Sequence, residues 1–182
     1  MRIEHVEKLT AAELSGSDFS FDVEEEAVAP FDGPTLSRTV PVTRYTKRYE
    51  LEADLVETTD PAQSLIVVAR SDGQVAGYIL VSRAWNHCAQ VDDFAVARSH
   101  RRQGLARALM DEAVRWTRER GLQTIRLETQ SNNVPACRFY ERYGFRLGGF
   151  DRYLYSAIPS QPRPEVALFW YLRVSPSPPS GS

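Results

Sequence analysis

The sequence predicts an α+β fold: a mixed, mostly antiparallel twisted sheet of about six or seven strands with flanking helices. Three observations predict it. Residues 64–70 and 74–85 are two β-rich runs separated by Ser71-Asp72-Gly73, a tight hairpin with glycine available for a positive φ, and a third run at 89–97 extends the meander. Residues 104–120 then carry Leu105, Ala108, Leu109, Ala113 and Trp116 at the period of an amphipathic helix. A further run at 124–128 follows that helix, and a strand–helix–strand crossover makes its two strands parallel.

In the first third, residues 3–9, 19–29 and 35–42 each read as strand-like, although prolines and mixed patterns interrupt them. Gly121, with Arg115, Arg118 and Arg120 just before it, ends the 104–120 helix, because glycine accepts the left-handed turn and cations suit the negative end of the helix dipole. A second helix spans 134–143, capped by Asn133 with Pro135 in its first turn. Runs at 145–155 and 165–174 close the sheet, and the Ser- and Pro-rich residues 175–182 are too polar to pack and are expected to be disordered.

A length of 182 residues with a hydrophobic fraction of 42% suits a single domain, expected over 1–174. The net charge of -2 conceals local imbalance: Glu24, Glu25 and Glu26 and the 50–57 stretch are acidic, whereas 98–107 is crowded with arginine. Two cysteines, Cys88 and Cys137, lack metal-ligand spacing and read as packed small residues, and His5, His87 and His100 have no partner pattern, so no metal is predicted. Without a leader pattern or an apolar run of bilayer length, the expectation is a cytoplasmic protein with no membrane association, as a monomer or homodimer.

The segment from Val96 through Arg107 puts a strand end, a basic turn and a small-residue helix start in sequence. Main-chain N–H groups in a first helical turn lack intrahelical partners and the dipole adds positive charge, so an anion is favoured there. Gly104 and Ala106 let a pyrophosphate approach the main chain, while Arg101, Arg102 and Arg107 offer charge-assisted hydrogen bonds. A solvated basic turn is the plain alternative; nucleic acid is disfavoured by the mildly acidic balance and the lack of interleaved aromatics.

Arg101-x-x-Gly104-x-Ala106 at a helix start after a strand resembles the acetyl-coenzyme A motif of the GNAT superfamily of N-acetyltransferases. Asn133-x-x-Ala136-x-x-Phe139-Tyr140-x-x-x-Gly144-Phe145 is similar to that superfamily's later motif, which implies that Asn133 contacts the pantetheine arm and Tyr140 faces the acetyl sulfur. The resemblance implies a coenzyme site of Phe94, Ala95, Val96, Arg101, Arg102, Gln103, Gly104, Leu105, Ala106, Arg107, Asn133, Ala136 and Tyr140, with the parallel strands splayed to admit acetyl-CoA. Residues 64–174 then form the acetyl-CoA core and 1–60 an acceptor-side part. Leu127-Glu128-Thr129-Gln130-x-Asn132-Asn133, with Trp85-Asn86 and Phe169-Trp170-Tyr171, resembles the streptothricin (nourseothricin) acetyltransferases. That implies a cationic streptothricin-like acceptor, acetylated on its β-lysine part; a polyamine, an aminoglycoside-like molecule or a protein amine is the alternative.

A lysine-like amine with a pKa near ~10.4 must lose a proton before it attacks a thioester. Asp92 and Asp93 are adjacent on one strand, and regular alternation sends them to opposite faces, so a single carboxylate looks into the cleft. Asp92 is taken as the base, working through water; solvation or an ion pair with Arg83 or Arg98 is the alternative for either residue. Tyr140, placed by the resemblance, is the acid that protonates the departing thiolate, with core packing as its alternative. A main-chain N–H near Phe94 or Ala95 is the expected donor to the developing oxyanion. Asp93 and Glu128, the acidic Glu50, Glu52, Asp54 and Glu57, and the faces of Trp85 and Trp170 are candidates for holding a cationic acceptor.

Overall fold

The computed structural model describes residues 1–49, 56–57, 60–158 and 165–174, with 56 and 57 described in the backbone alone. In chain order the elements are β1 (Arg2–His5), β2 (Lys8–Leu9), α1 (Ala11–Leu14), β3 (Phe21–Ala27), β4 (Thr39–Lys47), β5 (Val56–Glu57), β6 (Ser64–Ser71), β7 (Gln74–Arg83), β8 (Ala89–Val96), α2 (Leu105–Glu119), β9 (Thr124–Gln130), α3 (Val134–Tyr143), β10 (Arg146–Asp151) and β11 (Ala167–Arg173), with a 3-10 turn at Arg98–His100 between β8 and α2. They fall into two compact units. The first comprises Met1–Phe21, Arg48–Ile125 and Val174; the second comprises Asp22–Lys47 and Arg126–Arg173.

In the first unit β1, β6, β7 and β8 lie in that order as an antiparallel sheet. The β6–β7 hairpin closes through Asp72 (φ 52) and Gly73 (φ 79), both left-handed, with Ser71 paired to Gln74; a two-residue loop of this kind matches the twist of its strands. Side chains alternate along β7. On one face a Cβ at Gly77 would lie 3.1 Å from Leu109 Cδ1 and 3.3 Å from Leu105 Cδ2, so glycine there lets α2 settle on the sheet. Leu105, Leu109, Met110, Ala113 and Trp116 form the buried stripe of α2 at the expected period, each large apolar side chain contributing about 1.5–3 kcal/mol through burial. On the opposite face Tyr78 and Leu80 join Leu9, Leu14, Ile66 and Val68, with Phe19 packed alongside.

The second unit pairs β3 with β4 and orders β9, β11 and β10, the last two antiparallel. Asn133 caps α3, Pro135 occupies its first turn, and Gly144 (φ 118) ends it in the left-handed conformation. Val134, Cys137 and Tyr140 are the inward stripe of α3, and Trp170 and Phe145 are among the largest fully buried side chains.

Several expected elements shift. The run at 3–9 divides into β1 and β2, which belong to different sheets, and α1 follows, held by a capping box in which Thr10 and Glu13 bond each other's backbone N–H. The strand expected at 35–42 is β4, starting at Thr39 and continuing to Lys47. The run at 145–155 stops at Asp151, whose carboxylate accepts from the N–H groups of Tyr153 at 2.7 Å and Leu154 at 3.1 Å and turns the chain. Residues 175–182, and Glu50, Glu52 and Asp54, lie outside the described residues, and of Glu57 only the backbone is described.

Candidate active site

The register between β7 and β8 places Leu80 opposite Asp93 and Val81 opposite Val91, so Asp92 is the extra residue of a β-bulge. This changes the geometry expected of the carboxylates. Tyr78, Leu80 and Ser82 share one face of β7; Asp93 accepts from the Tyr78 phenol at 2.8 Å, and Asp92 is hydrogen-bonded to Ser82. Both carboxylates therefore point to the same face, against the opposite-face arrangement that regular alternation would impose. A bulge inverts the facing of everything after it.

Both aspartates reach solvent, yet protein crowds their carboxyl groups closely enough that desolvation raises both above the ordinary carboxylate range. The Ser82 hydrogen bond opposes the rise at Asp92 and the neighbouring charge of Asp93 adds to it; at Asp93 the Tyr78 hydroxyl and the Phe94 N–H oppose it. A carboxyl lifted toward neutrality is a better proton acceptor than an ordinary one. Because the Phe94 N–H serves Asp93, the oxyanion donor expected near Phe94 or Ala95 does not come from Phe94 in this arrangement.

Beyond β8, Arg102 (φ 60) and Gly104 (φ 81) are left-handed, and the loop leads into α2, whose first intrahelical bond runs from Ala108 N–H to the Gly104 carbonyl at 3.1 Å. The N–H groups of Leu105 and Ala106 precede that bond and have no acceptor within the helix. A Cβ built at Gly104 meets nothing within 4 Å, so the space before the helix start is open. Arg102, Gln103 and Arg107 are exposed and Ala106 is half-buried. An open helix start whose first N–H groups are unpaired within the helix is an arrangement that can receive an anion. The Arg101 guanidinium donates to the Val96 carbonyl at 3.0 Å and to the Phe19 carbonyl at 3.1 Å, so it shapes the loop. The Gln103 amide likewise donates to the Ser99 carbonyl at 3.0 Å. Phe94, Ala95 and Val96 end β8 half-buried ahead of this loop, and Trp85, 90% exposed, sits in the turn between β7 and β8.

The remaining candidates belong to the second unit. Asn133 Oδ1 accepts from Ala136 N–H at 3.3 Å, which leaves its Nδ2 hydrogens as what it can offer a ligand. Tyr140, 6% exposed, is packed in an aromatic cluster with Phe139 and Phe145, each at a centroid distance of 5.6 Å, and with Trp170 at 6.2 Å. Trp170 is 0% exposed, which corrects its assignment as a face for a cation: the β11 alternation turns it into the core. Glu128 is exposed and bonded to the Tyr155 hydroxyl, and Arg138 pairs with Glu25 at 3.0 Å. Sequence reasoning missed Tyr78 and Ser82. Their signal was the spacing of Tyr78, Leu80 and Ser82 on one strand beside the aspartates, hidden inside an apolar run.

Comparison with known proteins identifies the family. The profile of the acetyltransferase (GNAT) family matches residues 25–145. The streptothricin acetyltransferase of Escherichia coli is 42% identical over 100 residues, covering 55% of the chain and 57% of that enzyme; the chain thus spans little over half the length of this relative. Among solved structures, nourseothricin acetyltransferase superposes with a TM-score of 0.77 at 34% identity, covering 96% of this chain and 98% of that one. A Bacillus anthracis protein described as a streptothricin acetyltransferase, solved in complex with acetyl-coenzyme A, gives a TM-score of 0.76 at 30% identity, with 94% and 99% covered. The expected fold class, a mixed and mostly antiparallel sheet with flanking helices, and the expected enzyme class, an acetyl-CoA-dependent N-acetyltransferase, are those of these relatives. Among the described residues no helix is long and apolar enough to cross a membrane.

Proposed function

Because the chain belongs to the acetyltransferase (GNAT) family, we propose that it transfers acetyl from acetyl-CoA to an amine on the β-lysine part of a streptothricin, in the cytoplasm, and so confers resistance to the antibiotic. The observation that carries this reading is the pair of carboxylates, Asp92 and Asp93, set on one face by the bulge of a strand that runs into an anion cradle. Asp92 takes the proton from the attacking ammonium, directly or through water. The free amine adds to the thioester carbonyl, the tetrahedral adduct collapses with cleavage of the C–S bond, the coenzyme thiolate takes a proton from the Tyr140 phenol, and the second proton shed by the new amide nitrogen restores that phenol through solvent. The main chain of Leu105 and Ala106, with Arg102 and Arg107, holds the pyrophosphate; Asn133 holds the pantetheine arm; Asp93, Glu128 and Trp85 receive the acceptor's other cationic groups.

The decisive experiment is incubation with streptothricin and acetyl-CoA, read as a mass gain of one acetyl group and as thiol release, with spermidine and a peptide amine as comparison acceptors. Acetylated streptothricin at a rate exceeding the other acceptors is the expected result. No rate above background with streptothricin, together with turnover of spermidine or the peptide, moves the assignment to a different amine. Asp92→Asn and Tyr140→Phe should each lose turnover while still binding acetyl-CoA.

A further inference from the structure

Tyr78 is only 3% exposed in the middle of β7, its ring edge-to-face with Phe19 at 5.5 Å within a cluster that is otherwise aliphatic. Packing there asks for an aromatic ring and no hydroxyl. A buried hydroxyl without a partner costs about 1–3 kcal/mol, so the phenol has to be satisfied. It is satisfied by Asp93 Oδ2 at 2.8 Å, across the strand pair from β7 to β8.

The consequences for Asp93 follow from geometry. The carboxylate is pinned by two donors of different origin, the phenol from the neighbouring strand and the N–H of Phe94 from its own. Asp92 has the Ser82 hydroxyl and sits in the bulge, where the chain departs from the ladder. The two carboxylates are thus unequally held. One is fixed from beneath by the core; the other occupies the irregular backbone position. Burial and the adjacent carboxylate keep the Tyr78 phenol protonated, so it donates to Asp93 at any working pH.

We propose that Tyr78 is a positioning residue that acts through Asp93, fixing that carboxylate as the anchor for a second cationic group of the acceptor beside the amine that Asp92 deprotonates. The site then selects acceptors with two amines close together. This rests on the reading of Asp92 and Asp93 as the acceptor-side carboxylates.

The test is a kinetic double-mutant cycle with streptothricin and spermidine as acceptors, using Tyr78→Phe, Asp93→Asn and the double variant, with thermal midpoint and acetyl-CoA KM measured on each. Tyr78→Phe should raise the KM of the acceptor that is turned over about tenfold, ~1.4 kcal/mol, while kcat and the acetyl-CoA KM change less than about threefold. Asp93→Asn should do the same or more, and the double variant should be no worse than Asp93→Asn alone, since a residue acting through another adds nothing once that other is gone. Additive losses, or a Tyr78→Phe effect spread equally over kcat and the acetyl-CoA KM, would overturn the proposal while leaving the acetyltransferase reading intact. A well-folded wild type that acetylates neither acceptor overturns the acceptor-side reading and this proposal with it.

Discussion

The Arg101 guanidinium donates from Nε to the carbonyl of Val96 at 3.0 Å, across the turn that links the end of β8 to the cradle before α2. Its second bond, to the carbonyl of Phe19 at 3.1 Å, ties the same turn to the segment whose ring packs on Tyr78. A side chain committed to two carbonyls works by its fork, and lysine carries the charge without the fork. Arg101→Lys and Arg101→Gln should therefore weaken acetyl-CoA binding alike, by about tenfold (~1.4 kcal/mol). Titration calorimetry at fixed salt measures this; a lysine variant with wild-type affinity would assign Arg101 to direct phosphate binding.

Burial raises the Asp92 carboxyl, and that has a cost in stability with a definite sign. Between the ordinary carboxylate range and the raised native value the folded state holds more protons than the unfolded state, so stability falls as pH rises through that window. Asp92→Asn removes both the desolvated charge and its repulsion with Asp93. The variant should melt at or above the wild-type temperature at pH 7, with the difference closing as the pH drops below the ordinary carboxylate range, while turnover is lost. A variant melting well below wild type at pH 7 would show that the Ser82 hydrogen bond outweighs desolvation.

The parts of the fold legible in the sequence were those whose signals are local. The Asp72-Gly73 turn, the apolar stripe of α2 and the Asn133–Pro135–Gly144 punctuation of α3 each determine their element with neighbours a few residues away. The Thr10–Glu13 capping box was equally local and was missed because four residues of helix leave no periodicity to see. The β-bulge at Asp92 was beyond reach, since it exists only in the register of two strands. That single displaced residue decides which faces the carboxylates take. Trp170 failed for a related reason: an aromatic residue beside Phe169 and Tyr171 cannot be oriented until the strand has a partner.

Cys137 is fully buried on the inward face of α3, and desolvation raises its thiol to about 12, with the Glu141 carboxylate contributing. The reactive species is the thiolate, so this residue should be inert to a thiol reagent at pH 8 in the folded protein. Half-buried Cys88 is the expected site of the single fast modification. Denaturant should release the second equivalent, and Cys88→Ser should abolish the fast phase. A fast phase surviving in Cys88→Ser would mean that α3 opens on the timescale of the reaction.

Trp170 is fully buried against Tyr140, and its effect on function should pass through packing. Truncation to alanine removes a large buried ring and should cost about 3–5 kcal/mol, a large share of a typical folding stability, read as a lowered thermal midpoint. Trp170→Phe keeps most of the volume, and it also removes a buried indole N–H that has no partner among the described residues. Its acceptor KM should stay within about twofold of wild type, as expected of a core residue. A large rise in acceptor KM without loss of thermal stability would restore the indole as a binding face.

Gly104 and Gly121 are both left-handed, at φ 81 and φ 67, and a Cβ at either meets nothing within 4 Å. Alanine at each position should therefore carry the same backbone strain, of order 1 kcal/mol, and lower the thermal midpoint by about 2–4 °C. Their places differ, because Gly104 caps the start of α2 while Gly121 follows its end. The methyl of Gly104→Ala enters the open space before the start of α2, where the proposed anion site lies, whereas Gly121 is at the opposite end of the helix. Acetyl-CoA affinity should thus fall about tenfold in Gly104→Ala and stay at the wild-type value in Gly121→Ala, with equal thermal shifts in both. Equal losses of affinity would trace the effect to helix stability, and no loss in either would remove the cradle from the coenzyme site.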